Sequence, residues 1–334
     1  MGLNQSNEGC TLDEVVDALG FVDCDDRPKW INAGNAIKAE FGEGGHSVWD
    51  DWSSRSASYK PADARTTWKS FKGRKVPIEW IFKEAIREGY RPQAKTYSAE
   101  QKARFVAEQK SRRAQREKEL AIEEAQAEAM QGVVARKAFE IWQGLAPQGE
   151  SPYLQRKGVQ AHGLRFVTNG LVIIFDLNAQ RVELVHGKAN ITQFFETKTD
   201  DASFLYVKRG GVVVPMVDGD NVLCNLQIIF TDNKRFLKGG QVERSYHVVG
   251  ELTPAAPLCI AEGYATAATI HEATGWPCVV TFTASNLLKV AVMMRRNYPE
   301  KEIIICGDDD RETKNNPGRT AANTVAAKIN ALVV

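Results

Sequence analysis

With 334 residues the chain is long enough for two or three domains. At 43% hydrophobic and 25% charged it has an ordinary globular composition, which excludes a disordered or fibrous chain. Its net charge of +1 gives no basic excess of the kind nucleic-acid-binding proteins often carry, although an acidic site and a basic groove would offset each other in that sum.

Residues 1–95 read as a small all-α domain. Thr11 and Glu14 fit a capping box. Apolar and aromatic residues then recur at helical spacing: Val15, Val16 and Leu19; Trp30, Ile31, Ala33, Ala36 and Ile37; Val48, Trp49 and Trp52; Trp68 and Phe71; Ile78, Trp80, Ile81, Phe82 and Ala85. Tryptophans so spaced more often fill a core than stack on bases. Arg55, Lys60, Arg65, Lys69, Lys72, Arg74 and Lys75 cluster between and after them, either as a solvated surface or as phosphate contacts. The motifs GNAIKAEFG, WDDWSSRS and WKSFKG resemble the PriCT helical domain attached to phage and plasmid primases.

Residues 96–145 lack proline and are dense in Ala, Glu, Lys, Arg and Gln. They predict one long helix, read as an exposed connection laced with i,i+4 pairs rather than a nucleic-acid arm. In residues 146–256 the pattern changes to short β runs, at Leu171–Phe175, Val182–Val185, Val212–Val217, Val222–Phe230 and Tyr246–Val249, with VDGDN as a hairpin turn.

In residues 257–334 the apolar run LCIAEG ends in Glu262, and EIIICGDDD ends in Asp308, Asp309 and Asp310. Both runs read as buried parallel strands, and in an open α/β sheet chemistry gathers at the carboxyl ends of the strands. Alternation puts Asp308 and Asp310 on one side and turns Asp309 away. Carboxylates so grouped suit a hard cation such as Mg²⁺. The plainer readings are a helix N-terminal carboxylate for Glu262 and a solvated turn for the aspartates.

Strand-Glu-Gly followed by strand-Asp-x-Asp resembles the Toprim fold. EGYATAATI, TASNLLKVA and GDDD with NNPGRTAANTVA are similar to the primases of plasmids and phages. YLQRKG at 153–158 and KRFLKGG at 234–240 resemble the DnaG-type core upstream of it. The resemblance implies an α+β multidomain protein: a helical domain, a linker helix, a β-rich lobe and a Toprim lobe with a parallel sheet. It implies synthesis of short RNA primers on single-stranded DNA, with Glu262, Asp308 and Asp310 as catalytic residues and ligands to Mg²⁺, for which Mn²⁺ could substitute. Lys234, Arg235 and Lys238 would hold nucleoside triphosphate and template, although exposed edge-strand lysines read the same way. Arg165 and Asn286 join them as candidates, with Arg156, Lys157 and His162 weaker ones, and Asn286 could equally cap its helix.

No P-loop occurs, so a separate replicative helicase is the expected partner. The sequence reaches Val334 directly after the third Toprim helix, where INALVV offers a short final strand and family members usually continue. Cys10, Cys24, Cys224, Cys259, Cys278 and Cys306 form no C-x-x-C pair, so no structural zinc is expected. No signal peptide or membrane-spanning run is evident, and the protein reads as cytoplasmic, in a bacterial or phage-infected cell. Two rivals remain: a Toprim nuclease using the same acids, and a non-catalytic accessory that binds single strands.

Overall fold

A computed structural model describes residues 10–71, 76–92, 98–231, 233–309, 312–313 and 316–334. The chain divides into two units, Met1–Glu124 and Ala125–Val334.

The first unit is helical: α1 (Leu12–Leu19), α2 (Arg27–Phe41), a 3-10 turn (Gly42–Gly45), α3 (His46–Ser53), α4 (Pro61–Ser70) and α5 (Glu79–Arg87). The capping box is formed. Thr11 N donates to Glu14 Oε2 at 2.9 Å and Glu14 N to Thr11 Oγ1 at 3.3 Å, satisfying N–H groups that a helix start leaves orphaned. Asp26 starts α2 in the same way, accepting from Lys29 N at 3.0 Å.

Trp49, Trp52, Trp68 and Phe71 are buried, and the Trp49, Trp68 and Phe71 rings meet at centroid distances of 5.3 to 5.9 Å. Each buried indole N–H has an acceptor: Trp30 O, Val22 O and Glu43 Oε2 for Trp49, Trp52 and Trp68. These three tryptophans are therefore core. Gly34 explains part of the GNAIK motif, because a Cβ there would lie 2.1 Å from the Phe71 ring. Buried Lys38 explains another part: it donates to Trp68 O at 2.9 Å and pairs with Glu43 at 3.0 Å. Arg55, Lys60, Arg65 and Lys69 are exposed, while Lys72, Arg74 and Lys75 lie outside the described residues.

Helix α6 (Ala99–Gly144) is one continuous element, and the division between units falls within it. Its N-terminal part carries surface ion pairs such as Arg112–Glu108 and Arg116–Glu119. The expected exposed connection fails beyond residue 129. Met130, Val134, Ala138 and Ile141, one stripe at helical spacing, are buried in the core of the second unit. The polar residues between them hid that stripe.

The second unit continues with α7 (Pro152–Lys157), β1 (Arg165–Phe166), β2 (Leu171–Asp176), β3 (Arg181–His186), α8 (Lys188–Thr197), β4 (Phe204–Val207), β5 (Val212–Val217), β6 (Leu223–Ile229), β7 (Lys234–Phe236) and β8 (His247–Val249). It closes with β9 (Leu258–Ala261), α9 (Tyr264–Thr274), β10 (Cys278–Val280), α10 (Ala284–Asn297), β11 (Ile303–Cys306), α11 (Pro317–Ile329) and β12 (Leu332–Val333). Three sheets result, with strand orders β3-β2-β4, β1-β5-β6-β7 and β12-β11-β9-β10-β8.

The VDGDN turn joins β5 to β6 as expected, and Asp218 Oδ1 accepts from Asp220 N and Val222 N, each at 3.0 Å. Alternation along β5 feeds two cores. Val212, Val214 and Met216 pack with β9, β10 and α9, while Val213 packs with α6 and the three-stranded sheet. The β-rich lobe and the parallel sheet thus share one core, which fixes the basic strand β7 against the edge of that sheet. α8 and β4 were not anticipated. KANITQFFET has no residue buried and no side-chain cap, so neither apolar period nor start signal marks it.

Candidate active site at the carboxyl edge of the parallel sheet

Strands β9 and β11 are parallel neighbours, with Ile305 opposite Ile260 and Cys306 opposite Ala261. The next residues of each strand are therefore neighbours too, which brings Glu262 beside Gly307 and Asp308. The main chain of Glu262 is anchored from the other side by β10: Thr281 N donates to Ala261 O at 3.0 Å and Phe282 N to Glu262 O at 2.9 Å. Gly263 then occupies the N-cap of α9. Glu262 is half-buried, and Asp308 and Asp309 are exposed.

Gly307 lets the third helix approach this edge. A Cβ at that position would lie 2.7 Å from Ala322 Cβ on α11. Asp309 is turned to α11, where Asn316 Nδ2 donates to its Oδ1 at 2.7 Å. Asn316 in turn accepts from Arg319 N at 3.3 Å as the cap of that helix. A cavity of about 290 Å³ opens here, lined by Gly307, Asp308, Asp309, Arg319, Ala322, Asn323, Val333 and Val334. Arg319 escaped the sequence reading although it lies in the quoted NNPGRT stretch. It lies in the first turn of the helix that follows the acids. Asp310 lies outside the described residues. Among those described, no group of three His, Cys, Asp or Glu side chains is placed to hold a metal.

The basic segment reaches this edge through Lys234, whose Nζ lies 3.5 Å from where a Cβ on Gly263 would stand. Phe236, two residues on and on the same face, meets Phe282 with ring centroids 6.2 Å apart. Arg235 is exposed and points from the opposite face, its guanidinium donating to Lys234 O at 3.1 Å. The strand ends at Phe236, so Lys238 leaves the expected face and donates to Ser203 Oγ at 2.9 Å.

Arg165, partly buried, and Asn286, buried, are both engaged by the fold's own backbone. Arg165 lies 4.8 Å over the Trp142 ring and donates to Trp142 O at 2.5 Å. Asn286 is only 2% exposed. Its Nδ2 donates to Ser245 O at 2.8 Å and Thr281 O at 2.9 Å, and its Oδ1 accepts from Arg244 N at 2.7 Å. It is not the helix cap, which is Thr283; it ties the loop after β7 to the end of β10. Among the weaker candidates, Arg156 donates to Thr231 O, His162 pairs with Glu272 at 2.7 Å, and Lys157 is exposed.

Beside this edge lies a buried polar seam. His247 is buried near Tyr264, with ring centroids 6.2 Å apart. Burial pushes the His247 pKa down to about 4, and the nearby His162 charge adds to that, against an opposing hydrogen bond with the His162 backbone. The Cys278 thiol is pushed upward by burial, as is that of Cys224, to about 12. All six cysteines are free, and Cys224 and Cys278 are unreactive thiols within strands, whereas a hydrogen bond with Cys306 lowers the pKa of buried Cys259.

The sequence comparisons bear on both ends of the chain. Residues 12–85 match the family model "Primase C terminal 2 (PriCT-2)" and residues 257–333 match the model "Toprim domain". DNA primase TraC of Escherichia coli is 32% identical over 247 residues, covering 71% of this chain and 19% of TraC. A second TraC from the same organism is 31% identical over 241 residues, covering 70% of this chain and 14% of its own length. The chain thus spans less than a fifth of the curated relatives it matches. Among solved structures, the DnaG primase catalytic domain bound to ssDNA superposes with a TM-score of 0.37 at 15% identity, over 60% of this chain and 68% of that one. The primase fragment of the bacteriophage T7 primase-helicase gives 0.29 at 19%, over 37% and 52%. On the sequence matches, the chain carries a PriCT-2 domain and a Toprim domain and is similar over about seven-tenths of its length to the DNA primases named TraC.

Proposed function

We propose that the chain is a DNA primase that makes short RNA primers on single-stranded DNA during plasmid or phage replication. One observation carries the reading: Glu262 and Asp308 stand at the ends of two adjacent parallel strands in register, with the Lys234 ammonium alongside. The groups that the strand ends present here, Glu262 and Asp308, are carboxylates, which fits a hard cation such as Mg²⁺, or Mn²⁺ in its place. Glu262, Asp308 and Asp310 would hold it. Bound there, it would supply activation of a primer 3′-hydroxyl and charge stabilisation at the leaving pyrophosphate.

The chain's own residues do the rest. Lys234 neutralises triphosphate at the edge, and Arg235 and Lys238 hold template backbone. Asn286 and Arg165 act by position. Asn286 fixes the loop between β7 and the sheet, and Arg165 locks β1 to α6. Nucleoside triphosphates are the substrates, and a replicative helicase is the partner that supplies unwinding. A cytoplasmic location fits this role, and no helix among the described residues is long and apolar enough to cross a membrane.

The test is primer synthesis by the purified chain on circular single-stranded DNA with labelled nucleoside triphosphates and Mg²⁺. Short labelled products are expected from the wild type and none from Asp308→Ala with Asp310→Ala. Silence from both proteins with intact DNA would favour a binding accessory. DNA cut by the wild type alone would mean a nuclease.

A further inference from the structure

The second unit carries an aromatic group outside the site described above. Phe194 and Phe195 on α8 meet Phe204 and Tyr206 on β4, at ring-centroid distances of 5.2 to 5.6 Å. Every pair is edge-to-face, the arrangement the ring quadrupole favours. None of the four rings is buried, Phe195 is 38% exposed, and α8 buries no residue at all. Strand alternation explains the placement. Leu205 and Val207 feed the core beneath, which sends Phe204 and Tyr206 to the outer face of an edge strand.

Cations accompany these rings. Lys198 Nζ lies 5.7 Å from the Phe204 centroid and Lys208 Nζ 5.9 Å from that of Tyr206. Neither lysine is in an ion pair among the described residues. The group is also continuous with the basic strand. Lys234 stands at Gly263 on the carboxyl edge, Lys238 donates to Ser203 Oγ, and Ser203 immediately precedes Phe204. Two ammonium groups four residues apart in the chain thus stand one at the carboxyl edge and one beside the first ring.

We infer that the α8–β4 ring group is a base-stacking platform for single-stranded nucleic acid, extending the track that begins at the carboxyl edge. Every base has a π-face, so exposed rings grip a strand without reading its sequence, while flanking lysines take the phosphates. A protein partner with an apolar patch would have no use for ammonium groups over the rings; a polyanion does. The inference rests on the proposed function only in taking a single strand as the ligand.

The experiment is fluorescence anisotropy with the full chain and a labelled oligothymidylate of about 16 nucleotides, titrated at several salt concentrations. Phe195→Leu with Tyr206→Leu keeps the apolar volume and removes two flat faces. Affinity should fall roughly tenfold while the salt slope stays unchanged, since no charge is lost. Lys208→Ala should lower that slope by about one. Phe195→Tyr, which keeps the ring, should bind as the wild type does. Should the leucine pair unfold, Phe195→Leu alone is judged by the same criterion.

Wild-type affinity in the folded leucine variants overturns the platform and leaves the rings as packing or a protein-docking face, even if the chain makes primers. Lost affinity in those variants from a chain that makes no primers supports the platform and removes the polymerase. A wild type that does not bind the oligonucleotide overturns both.

Discussion

Two polar regions of the second unit lie within a few residues of each other and are built in opposite ways. At the carboxyl edge, Asp308 is exposed and Glu262 half-buried, at strand ends whose main chain is fixed by neighbouring strands. In the seam beside it, Asn286 and His247 are 2% and 8% exposed, and Asn286 has both its donors and its acceptor engaged by backbone. A buried polar group satisfied inside the fold holds the backbone in place. The Asp308 carboxylate, which the backbone delivers to solvent at a strand end, is placed for chemistry. The sequence offered Asn286 as a nucleotide-binding candidate or a helix cap, and the structure engages it with backbone on both sides.

The comparison is tested hardest at Asp308. Asp308→Asn should cut primer synthesis by about a thousandfold, the scale of losing one charge-stabilising group from a preorganised site. Stability should move by less than about 0.5 kcal/mol, as for other exposed positions. A drop in melting temperature paralleling the loss of activity would place Asp308 on the structural side of the divide.

The seam should respond to acid instead. The folded pKa of His247 is about 4, below its unfolded value of 6.5. Between those pH values the unfolded chain binds a proton that the folded one refuses. Its contribution is therefore complete above pH 6.5 and is lost as pH falls toward 4, reaching about 3 kcal/mol. Urea melts of the wild type and His247→Phe from pH 7 downward read this out, with a flatter acid limb expected in the variant. Identical limbs would mean that His247 is not the buried base described. Asn286→Ala follows in size. It strands Arg244 N, Ser245 O and Thr281 O, and should cost about 2 kcal/mol for the buried groups left unsatisfied. At temperatures where the variant stays folded, template affinity should be unaltered. A direct loss of nucleotide binding there would make Asn286 a ligand-contacting residue.

How far the sequence could be read followed from physical signals of unequal strength. Apolar runs as short as LCIA and IIIC, bounded by polar residues, are too short for a buried helix and read as buried strands, so β9 and β11 were legible, with the acids at their ends. The tryptophan spacing similarly marked the helical core, which Trp49, Trp52 and Trp68 fill. The second half of α6 was not legible, because Met130, Val134, Ala138 and Ile141 stand in a strongly polar segment whose average hides the stripe. The partners of Arg165 and Asn286 are illegible for a different reason. A sequence names the hydrogen-bonding capacity of a side chain, whereas its partners, Trp142 O for one and the 244–245 loop for the other, come from distant parts of the chain. Arg319 was passed over because a lone arginine carries no period or spacing, and only the closure of α11 on Gly307 puts it in the cavity with Asp308.

Lys234 is the finest test of the divide, because it belongs to the β-rich lobe and acts, in the proposed reading, at the edge of the other sheet. Its Nζ is brought to Gly263 by a three-residue strand whose next inward residue, Phe236, is anchored on Phe282. Removing the ammonium should leave the anchor intact, so Lys234→Ala should melt within about 0.5 kcal/mol of the wild type. One charge-assisted contact to triphosphate is worth about 1.5 kcal/mol, which corresponds to a rise of roughly tenfold in KM for nucleoside triphosphate. Phe236→Ala should reverse the pattern, with lost packing lowering stability by about 3 kcal/mol. If instead Lys234→Ala lowers stability while KM holds, the ammonium is a strut between the lobes, and the edge must neutralise its substrate through another cation, for which Arg319 in the same cavity as Asp308 is placed.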